Sequence, residues 1–240
     1  MTMVVTSVAP KLIVMTVDSA VANDFESHRE YGIGRKIHCF DGVGCVATWG
    51  ERTGNQIGTF LDSKVQDTTS TEDMSRLVHS YLVEEYRPKE YERGDVGFHI
   101  AGFDRNHRAR FFEAGYLPES REEDSSGERV YQYYDSSPGP NTLRYCYGGR
   151  FSLAHTLVTA FLKEAQADRD MRYNRLKPSG LVQFNDFVSR FAAEITKEVG
   201  PPFYTCLINQ QNKIVKISNT TLCPLNVDEI EVKLKALYST

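Results

Sequence analysis

Proline at position 10 constrains this chain more than any other single residue. Two runs of β-branched and apolar residues, Val4 to Val8 and Leu12 to Val17, stand on either side of Ala9-Pro10-Lys11. Proline has no amide proton and a fixed φ, so beside a lysine it marks a turn rather than a strand interior. The runs therefore read as two strands of a hairpin. Their pairing lays Thr2 back alongside the end of the second strand, where Asp18 and Ser19 emerge from the apolar run. A carboxylate at a buried edge, next to a chain terminus, is the first chemical clue.

Met1 is followed by the small residue Thr2, so removal of the initiator methionine is expected and would expose a free threonine amine. A threonine hydroxyl is a poor nucleophile until a base takes its proton. An α-amine, with a reference pKa of roughly 7.7–8.0, can be that base from within the same residue. A nearby lysine lowers the amine's proton affinity by like-charge repulsion, and an aspartate holds the lysine in place. The sequence offers Asp18, and Lys36 within Gly34-Arg35-Lys36-Ile37-His38-Cys39-Phe40.

In order, these are Thr2, Asp18-Ser19 after an apolar strand, Lys36-Ile37 opening another strand, and Gly50 closing Gly44-Cys45-Val46-Ala47-Thr48-Trp49. The set resembles the proteasome β-subunit family of N-terminal nucleophile (Ntn) hydrolases. The spacing from Thr2 to Asp18 and from Lys36 to Gly50 fits the family pattern without a gap, and a short insertion falls between 22 and 33. Later, Val96 to Asp104 followed by Ala109 to Glu113 resembles the family's central hairpin. The resemblance implies Thr2 as nucleophile, Asp18 and Lys36 as its tuning pair, and the Gly50 N–H as oxyanion donor. It places Ala20, Val21, Thr48 and Arg52 around the pocket for the side chain preceding the cut, where Arg52 could favour an acidic group or point to solvent.

The same resemblance implies an α+β fold, the four-layer αββα Ntn-hydrolase sandwich: two stacked antiparallel sheets flanked by helices, as a single domain over 2–240. Pattern reading alone separates it from no other α+β arrangement. It further implies a homo-oligomeric ring, a peptide or unfolded-protein substrate, and a separate ATP-driven unfoldase if ATP is used at all. Met removal alone would mature the enzyme. Gly32-Ile33-Gly34 lacks the glycines and the strand-to-helix setting of a phosphate loop, and no cofactor is expected.

Bulk properties narrow the classes. The chain has 240 residues, 40% of them hydrophobic, and a formal net charge of −4, which leaves no electrostatic footprint for nucleic acid. No apolar run has the length of a membrane span and no signal core opens the chain, so a cytoplasmic protein is expected. The five cysteines are odd in number and sit mostly in apolar runs, which reads as reduced, buried thiols. The six histidines show no metal-ligand spacing, and His38 and His99 read as packed or surface-facing rather than catalytic.

Further signals order the remaining chain. Asn23 to Glu30 reads as a polar loop at the cleft rim, and Asp41-Gly42 as the turn of a second hairpin. A helix follows Gly50. Ser70 or Thr71 caps the next one, whose apolar stripe is Met74, Leu77, Val78, Tyr81, Leu82 and Tyr86. Leu117 to Arg129 reads as a surface loop, and Val130–Asp135 and Thr142–Tyr147 as strands. A helix opens near Ser152, a residue that serves either as its N-cap or as a support for the nucleophile. Lys177 to Gly180 reads as a loop before a helix carrying Val182 to Ile195, and strands close the chain. The family's corner serine and helix-end Asp and Ser have no clear counterpart.

Three functions follow from these residues. The first is a threonine peptidase acting through Thr2. The second is a catalytically silent, proteasome-like scaffold, in which Asp18 and Lys36 are a plain structural ion pair and Gly50 serves only a backbone angle. The third is an Ntn amidase acting on a small amide.

Overall fold

A computed structural model of the chain describes residues 3–23, 30–33, 35–50, 54–86, 95–116, 131–149, 177–196 and 199–239. Ser152, the segment 117–129 and the helix expected after residue 150 lie outside the described residues.

The N-terminal hairpin forms as the proline predicts. Strands β1 (Met3–Val8) and β2 (Leu12–Asp18) pair antiparallel, with Val4 opposite Val17 and Val8 opposite Ile13. Every residue of both strands is buried, which is why neither shows polar alternation. A second hairpin, β3 (Ala20–Asn23) with β4 (Glu30–Ile33), stands in a sheet of its own. The polar stretch read as a loop is thus shorter: Asn23 and Glu30 are already paired.

Strands β5 (Ile37–Phe40) and β6 (Gly44–Gly50) turn at Asp41–Val43, where Gly42 adopts φ +79. Helix α1 (Gly54–Lys64) follows, then α2 (Thr71–Ser80), which continues into a π turn over Tyr81–Glu85. Ser70 caps α2 in a capping box: the Asp73 N–H donates to its hydroxyl at 3.0 Å and its own N–H donates to the Asp73 carboxylate at 3.3 Å. The chain then builds β7 (Val96–Phe103) and β8 (Ala109–Tyr116) as a hairpin, followed by β9 (Tyr131–Asp135) and β10 (Arg144–Gly149).

Helix α3 (Pro178–Ile195) takes Pro178 to Gly180 into its first turn, not into a preceding loop. Proline is well placed there, because the first helical amide has no intrahelical partner to lose. Strands β11 (Phe203–Asn209) and β12 (Ile214–Asn219) come next. The chain closes on a helix rather than on strands: α4 (Val227–Tyr238), capped by the Asn226 side chain and burying Ile230, Leu234 and Leu237.

Among the described residues two antiparallel five-stranded sheets result, ordered β10-β1-β2-β11-β12 and β5-β6-β7-β8-β9. Their facing sides share one apolar core. Val4, Val8, Ile13, Met15, Val17 and Ile208 of the first sheet meet Ile37, Ala47, Ala101, Phe103 and Phe111 of the second. The outer side of the second sheet packs Val46, Phe98, Ile100 and Phe112 against Ile57, Leu61, Met74 and Val78 of α1 and α2. The outer side of the first packs Leu12, Val14 and Leu207 against α3 and α4. The fold class is therefore α+β. Asn185 of α3 fastens its helix to the hairpin, donating to the Val5 and Val14 carbonyls at 3.1 and 3.0 Å and accepting from the Ser7 hydroxyl.

Candidate active site

The candidate site lies where β2 ends. Asp18 is fully buried. Its Oδ1 accepts the Met3 backbone N–H at 2.8 Å, and its Oδ2 accepts from Lys36 Nζ at 3.1 Å. One carboxylate thus joins the first residue of β1 to the residue just before β5, linking strands of two different sheets. Thr2 lies outside the described residues and is covalently joined to Met3.

Burial acts on both members of the pair. It pushes the Asp18 carboxyl up from its ordinary value, against the opposing pull of the Lys36 charge and the Met3 N–H. It pushes the Lys36 ammonium down, against the pull of Asp18. Both shifts favour moving the proton from nitrogen to oxygen, so the pair holds its charges less firmly than an exposed one would. Ser19, next to Asp18, has a fully buried hydroxyl with no hydrogen-bond partner among the described residues.

Lys36 is fixed by its backbone too, since its carbonyl accepts the Thr48 N–H at 2.8 Å and extends the β5–β6 ladder by one step. Thr48 is buried at this end of β6. Two residues on, Gly50 closes the strand with φ +89, and a side chain there would overlap the Asp95 carbonyl oxygen. Both facts call for glycine. Between them, the Trp49 side chain lies against Gly97 of β7 and Gly148 of β10, at positions where a Cβ on either glycine would overlap the indole. Gly149, opposite Met3 in the β1–β10 ladder, adopts φ +104. Gly149 thus lays glycine backbone beside β1, and Ser152, the nearest hydroxyl in the sequence, lies outside the described residues.

Of the residues expected at the site, Asp18 and Lys36 meet directly, and Thr48 adjoins Lys36 through the backbone. Gly50 stands at the end of the same strand. Ala20 and Val21 open β3, paired with Ile33 and Gly32. Arg52 lies outside the described residues. His38 and His99 are packed: the His38 ring lies against Gly58 of α1, and Thr6 Oγ1 stands 2.9 Å from His99 Nδ1 between the sheets. Burial holds the His99 imidazole down to about 3.

Sequence spacing did not disclose that Cys39, Cys45 and Cys206 come together, their Sγ atoms all within 4.8 Å of one another. Cys39 and Cys45 face each other in the β5–β6 register, which follows from the turn at Asp41-Gly42, but Cys206 arrives from the other sheet. Among the described residues no helix is long and apolar enough to cross a membrane. No protein-family model and no curated protein matches this sequence.

Proposed function

We propose that the chain is an N-terminal threonine hydrolase that cleaves peptide bonds, built as a proteasome-like αββα Ntn-hydrolase sandwich. The observation that carries this reading is the Asp18 carboxylate. It holds the amide next to Thr2 and the Lys36 ammonium at once, at 2.8 and 3.1 Å. A buried ion pair is costly to desolvate and is a poor device for stability alone. Its position beside residue 2 gives that cost a chemical use.

In the proposed reaction Thr2 carries a free amine. Its Oγ attacks the scissile carbonyl while the amine, directly or through a water, takes the hydroxyl proton. The carbonyl oxygen becomes an oxyanion facing the Gly50 N–H. Collapse of the tetrahedral adduct breaks the C–N bond, and the α-ammonium returns the proton to the leaving amine. Water then attacks the ester with the α-amine as base, releasing the acid and restoring Thr2. The Lys36 charge lowers the proton affinity around the nucleophile, and Asp18 orients it. Ala20, Val21, Thr48 and Arg52 form the substrate pocket in this reading, and the enzyme works as a homo-oligomeric ring on unfolded chains.

The test is the intact mass of the untagged protein before and after incubation with a β-lactone. Expected are a chain beginning at Thr2 and one adduct, mapped to Thr2 and abolished by Thr2→Ala. A retained Met1, or a free Thr2 that never reacts, removes the threonine hydrolase and leaves Asp18–Lys36 as a structural pair.

A further inference from the structure

The three thiols between the sheets are not used by the proposed hydrolysis. Cys39 lies on β5, the edge strand of the second described sheet, and is half-buried. Cys45 is its cross-strand neighbour and is fully buried. Cys206 lies on β11 of the first sheet, with its Sγ 3.0 Å from Cys39 Sγ. All are free thiols. The exposed Lys216 stands opposite Cys206 in the β11–β12 register and adds a cation to the approach to Cys39.

Two chemistries suit such a trio, and distance separates them. A tetrahedral zinc with bonds of about 2.3 Å holds its sulfurs roughly 3.8 Å apart and takes a fourth ligand. The Cys39–Cys206 pair is closer than that, and the trio as described holds no fourth His, Asp, Glu or Cys ligand. Three thiolates around a dication would also leave net negative charge among Ile37, Ile208 and Ile214. A disulfide, with sulfurs about 2.05 Å apart, needs an approach of only about 1 Å and buries a neutral group.

We propose that Cys39 is a site of oxidation by hydrogen peroxide and that Cys206 resolves it into a reversible disulfide joining the two sheets. The Cys39 thiolate attacks one peroxide oxygen: an S–O bond forms, the O–O bond breaks, and the departing hydroxide takes a proton to leave as water. The Cys206 sulfur then attacks the Cys39 sulfenic sulfur. The S–S bond forms, the S–O bond breaks, and the hydroxide leaves as water with the Cys206 proton. Two thiols and one peroxide give one disulfide and two waters. Thiol donors support the first step, because hydrogen bonds from Cys206 and then Cys45 hold the Cys39 thiol well below its ordinary value. Burial raises Cys45, which stays a thiol and the reserve partner.

The experiment uses the full chain with the exposed Cys223 replaced, Cys223→Ser, so that no exposed thiol reports. Native protein is treated with stoichiometric hydrogen peroxide, quenched, alkylated and mapped without reduction. Expected is a peptide pair linking Cys39 to Cys206, a mass loss of two hydrogens, and full recovery on adding dithiothreitol. Adding Cys206→Ser should redirect the bridge to Cys39–Cys45 or trap a sulfenic acid at Cys39. If that variant does not fold, peroxide titration of the parent with an alkylation time course still decides. Cys39 must be lost first, by about tenfold over Cys45. Equal loss of all three thiols, bridging only in denaturant, or zinc protecting all three thiols with no bridge in the metal-stripped protein overturns the proposal.

Discussion

Lys36 Nζ stands 3.1 Å from Asp18 Oδ2, with both side chains shielded from solvent and the Met3 amide on the other carboxylate oxygen. The pair ties the opening of β5 to the end of β2, two strands from different sheets. Removing one partner strands a buried charge, at a cost of about 3–5 kcal/mol. Lys36→Met should therefore lower stability by that amount in urea titrations. The double change Asp18→Asn with Lys36→Met should recover part of it, because no charge is left unpaired. A double variant as unstable as the sum of the single ones would show that the two residues do not interact.

Gly50 and Gly42 share a left-handed backbone but not their surroundings. Added as alanine, a side chain at Gly42 meets nothing within 4 Å, whereas at Gly50 it overlaps the Asp95 carbonyl. Gly42→Ala should cost about 1–2 kcal/mol, the penalty of the left-handed conformation. Gly50→Ala should cost more by at least about 1 kcal/mol, since β6 must also part from the chain at Asp95. Chemical denaturation of the two variants side by side measures the difference. Equal costs would mean that close approach plays no part at Gly50.

The elements that were legible in the sequence are those whose signals are local. Pro10 and Asp41-Gly42 announce two hairpins, and Ser70 with Asp73 announces the start of α2. Helix α4 escaped, although Asn226, Asp228 and the spacing of Ile230, Leu234 and Leu237 are helix signals: charged residues between them hide a narrow apolar stripe. Pro178 read as part of a loop when it sits in the first turn of α3, since proline alone does not say on which side of it the helix lies. The strands β3 and β4 are four residues each, too short for a period to show. At the site, Asp18 and Lys36 were each visible as candidates through their places in the family pattern. The thiol trio was not, because Cys39 and Cys206 are 167 residues apart and only the stacking of sheets joins them.

His99 makes stability depend on pH. Its folded pKa is held to about 3 by burial, outweighing the opposing backbone hydrogen bond at Tyr147, against 6.5 when unfolded. Between these values the unfolded chain binds the extra proton, so stability rises with pH across the window and levels off above it. The slope is at most about 1.4 kcal/mol per pH unit for one proton. His99→Gln, which keeps a polar group near Thr6, should flatten the acid limb between pH 6 and 4 in thermal melts. An unchanged limb would assign the acid sensitivity to other groups.

Trp49 touches both sheets. Its indole rests on Gly97 of β7 and on Gly148 of β10, and a Cβ on either would overlap the ring. In each case the obstructing atoms belong to a side chain, so a smaller residue at 49 should relieve the clash. Gly148→Ala alone should destabilise by about 1–3 kcal/mol, the usual cost of overpacking. Trp49→Leu alone should cost about 2–4 kcal/mol through lost contact area. Combined, they should cost less than their sum by about 1 kcal/mol or more, because the leucine vacates the space the alanine needs. Gly97→Ala should couple to Trp49→Leu with the same sign. Denaturant midpoints of the four proteins in each cycle give the coupling. A coupling of zero at Gly148 would mean that the indole does not seat β10 against β6, and that this end of β10 is held by the β1–β10 ladder alone.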